Sequence, residues 1–174
     1  MKIDNPFEKT EAFHKQFDNR RPNVPTEFSA QQASARAGFK VEELVEFLYG
    51  AANNDIELFE KLVINLKESV DQAETKVLNK QKAVTDPLVE QVDALIDLLY
   101  FTYGSFSLLG VDPTKIFSIV HEANMGKLFS DGKPRYHPVT HKVLKPDNWE
   151  KDFAPEPKIK AELERQKQER NETK

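Results

Sequence analysis

The stretch Val92–Tyr103, VDALIDLLYFTY, constrains this chain more than any other. Ten of its residues are apolar, aromatic or Thr, and the two exceptions are Asp93 and Asp97. Four residues apart, those carboxylates share one face of a helix, about one turn or ~6 Å apart along its axis. Leu95, Ile96, Leu98 and Leu99 spread around the rest of the circumference, which predicts a helix buried on most sides. Bare carboxylates on a buried helix cost on the order of several kcal/mol or more unless paired, protonated or bound to metal.

A second acidic cluster lies at Lys40–Leu48, KVEELVEFL. Glu43 and Glu46 share a helical face, Glu42 points about 100° away, and Val41, Leu44, Val45 and Leu48 form the apolar stripe beside them. If the two helices pack antiparallel, four carboxylates meet across one seam. An all-oxygen site of that kind suits hard cations, Mg²⁺ or Mn²⁺ above all. The rival reading of Glu42, Glu43 and Glu46 is a solvated helix face, the usual place for glutamate. The rival reading of Asp93 and Asp97 is structural pairing with Lys or Arg.

Composition narrows the class. With 174 residues the chain is long enough for a domain with a core. A net charge of −4 offers no broad attraction to nucleic acid. The absence of cysteine excludes disulfides, thiolate catalysis and Cys-based zinc. No run approaches the ~18 apolar residues of a membrane span, and MKIDNPFEKTEAF lacks a signal-peptide core, so no membrane is expected and the cytoplasm is the simplest compartment. Only 6 Gly and little apolar alternation favour long helices over sheet.

Along the chain, Asn5-Pro6 opens a first helix with Phe7, Phe13 and Phe17 on one side, and Pro22 and Pro25 force extended chain after it. Ser29 is placed to cap a second helix from about Ala30 to Ala52, and Asp55 a third from Ile56 to about Lys82. The third carries a narrow apolar seam, which suits either its own core or another subunit. Thr85-Asp86-Pro87 restarts a helix that holds Asp93 and Asp97 and runs to about Leu109, with Gly110 as its cap; Asp112-Pro113 opens another to about Leu128. Ser130–Pro134 is turn chemistry leading into Pro-rich extended pieces with a basic patch: Lys127, Lys133, Arg135, Lys142, Lys145, His137 and His141. The tail Lys158–Lys174 reads as an exposed helix or a frayed end. The expected architecture is all-α: a four- to five-helix bundle with an irregular, basic C-terminal extension, residues 1–150 forming one domain and 151–174 a charged tail.

The ordered pairing of an EExxE helix (Glu42, Glu43, Glu46) with the later DALIDLLYFTYG helix resembles the MazG-like and phosphoribosyl-ATP pyrophosphohydrolase-like superfamily. The following HEANMGKLFSDGKPRYHPVTHKVLKPDNW is similar to a subgroup with an N-M-x-K-L element and a D-G-K-P turn, and the Phe13-His14 element extends the likeness over about residues 10 to 150. The resemblance implies an all-α, Mg²⁺-dependent nucleoside triphosphate pyrophosphohydrolase, with Mn²⁺ as a substitute metal. It implies Glu43, Glu46, Asp93 and Asp97 as metal ligands and Glu42, Glu43 and Glu46 as the catalytic set. Asn124, Lys127, Lys133, Arg135, Tyr136, Lys145 and His14 would hold the nucleotide. The superfamily's commonest pattern has an acid three residues before the second-helix Asp; here Ala94 stands three before Asp97, and Glu90 stands three before Asp93, so Glu90 is an alternative ligand. A homodimer or homotetramer and the housecleaning of non-standard nucleotides are further implications.

The bland readings differ by residue. His14 beside Phe13 and Phe17 suits core packing, Asn124 a helix end, and the basic loop solvation. Two other classes compete. A di-metal redox bundle would need Glu-x-x-His pairs, which neither acidic helix supplies. A nucleotide-binding or structural bundle without turnover would fit a degenerate site, against which an intact acid quartet speaks.

Overall fold

The structure is a computed structural model and describes residues 5–18, 20–139 and 141–172. Helical segments follow in the order α1 (Pro6–Phe17), α2 (Ala30–Ala52), α3 (Ile56–Lys80), α4 (Pro87–Leu109), α5 (Thr114–Met125), α6 (Trp149–Phe153) and α7 (Glu156–Glu172). Among the described residues there is no strand, only an isolated antiparallel bridge between Tyr136 and Val143. The fold is all-α, as expected.

The helix starts are those that the caps dictate. Asn5 Oδ1 accepts from Phe7 N at 2.8 Å ahead of Pro6. Ser29 and Gln32 form a reciprocal capping box. Asp55 accepts from Leu58 N at 2.9 Å, and Asp86 from Leu88 N at 3.0 Å. Gly110, at φ +69°, ends α4 in the left-handed conformation that glycine adopts without strain. The last helix before the basic loop stops at Met125 rather than near Leu128. There Gly126 sits under the Phe153 ring, so close that a Cβ would lie 2.3 Å from Phe153 Cγ.

Contacts divide the chain into two units, Val24–Ile96 and Met1–Asn23 with Asp97–Lys174. In the first unit α2 and α3 pack as a hairpin across a short loop, with Tyr49 edge-on to Phe59 at 5.2 Å between centroids. The start of α4 is tied to the chain ahead of α2: Gln91 Oε1 accepts from Phe28 N at 2.8 Å, and Gln91 Nε2 donates to Phe28 O at 3.0 Å. Ala52 alone is buried among this unit's described residues.

In the second unit α1 packs on α5, and α5 carries α6 and α7. Phe13 and Phe17 stack at 4.2 Å, and the buried Trp149 donates through Nε1 to Ala123 O at 2.8 Å. The charged tail is neither frayed nor merely exposed. As α7 it docks on α5, and its buried Gln166 takes Asp112 N at 2.9 Å while donating to Asp112 O at 2.9 Å. Ion pairs at helical spacing run along it: Glu162–Arg165 at 2.5 Å, Glu164–Lys167 at 2.8 Å, and Arg165 with Glu169. The expected tail beyond Glu172 lies outside the described residues.

One expectation is overturned. The helix of Asp93 and Asp97 is not buried: among the described residues α4 packs against no other helix and has no buried residue. Val92, Leu95, Ile96, Leu98, Leu99, Tyr100 and Phe101 all stand exposed. By length and composition Pro87–Leu109 could cross a membrane, with mean hydropathy 1.3 over its best window. Two aspartates near its middle oppose that, at about 2.5–3.5 kcal/mol for such a charge at mid-membrane.

Candidate active site

α2 carries Glu42, Glu43 and Glu46 through its middle, all exposed. Their position follows from the capping box at Ser29, which sets where the helix begins, and from the αL residue Asn53 (φ 48°), which ends it. Nearby, Lys40 is partly buried, and desolvation followed by the Arg36 charge holds its ammonium below the usual lysine range. On α4, Asp93 and Asp97 are exposed one turn apart. Among the described residues, Glu43, Glu46 and Asp97 take part in no hydrogen bond or ion pair, whereas most other interactions of acids here are with a nearby cation. Structural pairing, the bland account of Asp97, is therefore not what the fold uses.

Glu90 is different. Lys82 Nζ reaches its Oε1 at 2.7 Å, and that contact raises the lysine above its ordinary range, with Asp93 adding a weaker pull. Glu90 is thus engaged by a side chain, while Asp93 feels the same lysine only at a distance.

Among the described residues no three His, Asp or Glu side chains are grouped as a metal site would need, and within Val24–Ile96 the partner of α2 is α3 rather than α4.

The candidate nucleotide-binding residues lie in the other unit and are already organised. Asn124, at the end of α5, accepts from Lys127 Nζ through Oδ1 at 2.7 Å, which holds both beside the turn at Gly126. A cleft of about 410 Å³ opens there, lined by Glu122, Met125, Gly126, Leu128, Phe153 and Lys158. The basic segment folds back on itself: His137 N donates to Lys142 O at 2.8 Å, and Leu144 N to Arg135 O at 2.8 Å. Tyr136 donates its hydroxyl to Phe17 O at 2.5 Å, pinning this loop to the end of α1. Arg135 lies 4.1 Å over the Phe129 ring and 3.8 Å from Asp131. Lys145 lies 3.7 Å over Trp149 and 3.2 Å from Glu150. Lys133 is exposed on the turn. His14 lies edge-on to its sequence neighbour Phe13, with ring centroids 5.8 Å apart.

The sequence pattern did not single out the polar contact between α1 and α5. Lys9 is buried and donates from Nζ to Ser118 Oγ at 2.6 Å. Burial, followed by that lysine's charge, holds His121 below the usual imidazole range. A lysine in a Glu-rich helix at Glu8–Glu11 carries no signal that it turns inward.

Residues 10–124 match the family model of phosphoribosyl-ATP pyrophosphohydrolase, a span that takes in both acidic helices and ends at Asn124. No curated protein matches the chain. Among solved structures, it is similar to a candidate NTP pyrophosphohydrolase from Exiguobacterium sp. 255-15, at 37% identity and a TM-score of 0.85, over 95% of this chain and 98% of that one. With both acidic helices inside the matched span, the chain belongs to the phosphoribosyl-ATP pyrophosphohydrolase family and is a hydrolase acting on phosphoric anhydrides.

Proposed function

We propose that the protein is a Mg²⁺-dependent nucleoside triphosphate pyrophosphohydrolase that cuts between the α and β phosphorus atoms. The observation that carries this reading is the set of uncommitted carboxylates. Among the described residues Glu43, Glu46 and Asp97 have no cationic partner, and Asp93 has only the distant Lys82. Four acids of this kind, all-oxygen and solvent-facing, fit a hard divalent cation and do not fit a soft one. The family match supports the anhydride chemistry.

Glu43, Glu46, Asp93 and Asp97 would hold the metal. When bound, Mg²⁺ supplies charge to the phosphate oxygens and lowers the pKa of a neighbouring water. Glu42, or a ligand carboxylate, accepts that water's proton. The water oxygen forms its bond to the α-phosphorus as the bond from that phosphorus to the bridging oxygen breaks. The electron pair leaves with pyrophosphate, and the nucleoside monophosphate keeps the new oxygen. Asn124 and Lys127, held together at the end of α5, bind the nucleotide. Lys133, Arg135 and Lys145 take the outer phosphates, Arg135 as a fork and the lysines as point charges. Tyr136 donates to the α1 backbone and so fixes the loop that carries them.

A homo-oligomer belongs to the same reading. A unit with a single buried residue among those described cannot be held together by its own core, and the apolar faces of α3 and α4 need cover that another copy supplies. The cytoplasm, where nucleoside triphosphates are made and used, is the proposed compartment.

The test is product analysis over a panel of nucleoside triphosphates with Mg²⁺, Mn²⁺ or EDTA. Metal-dependent release of monophosphate and pyrophosphate is expected, lowered more than about 100-fold in Asp97→Asn, since even a neighbour of a metal ligand is worth about 10–100-fold. Orthophosphate as the product would move the cut to the β–γ bond and overturn this reading.

A further inference from the structure

We infer that Trp149, the one tryptophan of the chain, is a positioning residue for the nucleotide: its Nε1 fixes the end of α5 at Asn124, and its ring face holds the Lys145 ammonium. This rests on the reading above, in which Asn124, Lys127 and Lys145 meet the substrate, and adds to it what holds those groups in place.

The run Lys145-Pro146-Asp147-Asn148-Trp149 sets the two side chains on either side of a turn, which Trp149 N closes on Pro146 O at 2.9 Å. α6 begins there, and its two rings grip α5 at positions that bracket Asn124. Trp149 donates through Nε1 to Ala123 O at 2.8 Å, and the Phe153 ring lies against Gly126. The bond to Ala123 is a cap. A continuing helix would bring Lys127 N to that carbonyl, but Lys127 N goes to Asn124 O at 3.2 Å instead. The last turn of α5, which carries the Asn124–Lys127 contact, is thus held from outside by the indole.

A ring that only filled space would need neither that donor nor a cation on its face. Lys145 Nζ stands 3.7 Å from the ring centroid and also meets Glu150 at 3.2 Å. The Glu150 side chain is 76% exposed, so solvent screens that pair and it restrains the lysine little. Trp149 is 5% exposed and tied to Ala123, so the fixed surface under the ammonium is the indole. The ring has no net charge. It therefore restrains the ammonium without neutralising it, and the charge stays available to a phosphate. A lysine on a free four-carbon stem gives up much of its rotamer freedom when it binds an anion. Here that freedom is already spent, and an incoming phosphate has only to displace Glu150.

Because the chain has one tryptophan, its emission reports on this contact in the intact protein. Inorganic tripolyphosphate with Mg²⁺ should change that emission saturably as the ammonium moves toward the anion. Lys145→Met should change the resting emission and abolish the response. In steady-state kinetics, Trp149→Phe keeps a weaker ring and loses the Nε1 donor. It should raise KM for the triphosphate roughly 2- to 5-fold, the ratio a cation–π contact is worth, with kcat little changed. The same exchange should raise KM less in the Lys145→Met background, since one of its two routes is gone. The fluorescence measurement leaves Trp149 in place, so it decides the question even where the Phe variant loosens α6. An emission that neither Lys145→Met nor tripolyphosphate alters, or KM effects that multiply as independent changes, overturns the inference and returns Trp149 to core packing. A tripolyphosphate response lost in Lys145→Met, without turnover of any nucleoside triphosphate, supports the positioning role and counts against the proposed reaction instead.

Discussion

Gln166 and Lys9 are the buried polar side chains among the described residues, and each joins two elements. Gln166 saturates both backbone groups of Asp112 and also donates to Glu162 at 3.0 Å. Truncating it leaves a donor and an acceptor in the α4–α5 connection without partners, which costs about 1–3 kcal/mol for such groups. Gln166→Ala should lower the denaturation midpoint of the unit that holds α5 and α7 accordingly. Chemical denaturation followed by circular dichroism checks this, and an unchanged midpoint would mean that α7 is held by its apolar contacts alone. The site glutamates behave in the opposite way. Glu43→Gln removes no bond among the described residues, so under the proposed function its cost should fall on metal binding.

At the scale of elements, α7 turns a charged sequence into docked structure through its own pairs. Arg165, and then Gln166, hold the Glu162 carboxyl down to about 2, well below the ordinary glutamate range. A depressed folded value means that the contribution is complete above about 4.5 and is lost as the pH falls toward about 2. Acid titration should therefore loosen α7. Protection of the amides across Glu156–Glu172, with exchange corrected for its intrinsic rate at each pH, should fall between those values, and in Glu162→Gln that pH dependence should flatten. Faster exchange on raising the pH from neutral, beyond the intrinsic base catalysis, would contradict the assignment. α4 is the contrasting element, since its start is well capped and clasped but, among the described residues, its apolar length has no partner helix.

At the scale of the whole molecule, stability should depend on protein concentration, because chains that rely on one another for cover unfold by mass action. Thermal midpoints measured over a hundredfold dilution should fall with dilution, and Mn²⁺ should raise them. A midpoint that is independent of concentration would show that each chain is stable alone. Val24–Ile96 presents the EExxE face, and the other unit presents Asn124, Lys127 and the basic loop.

The helices themselves were legible in the sequence because their signals are local. Ser29 with Gln32, Asp55, Asp86-Pro87 and Gly110 each act within one turn, and they fell where the capping chemistry predicts. The acid spacings were legible for the same reason, since Asp93 and Asp97 share a face whatever the helix packs against. The surroundings of α4 were not legible. An apolar circumference says that a helix must be covered, but cover by its own chain and cover by another chain have the same hydrophobic pattern. The docking of α7 was hidden because it depends on one glutamine meeting the backbone of Asp112, 54 residues earlier. The sequence by itself determined the helices, their ends and the faces that carry the acids, because those rest on neighbours within a turn. Only the tertiary structure decided which faces stay open and which polar groups are spent, because those rest on contacts between residues far apart in the chain.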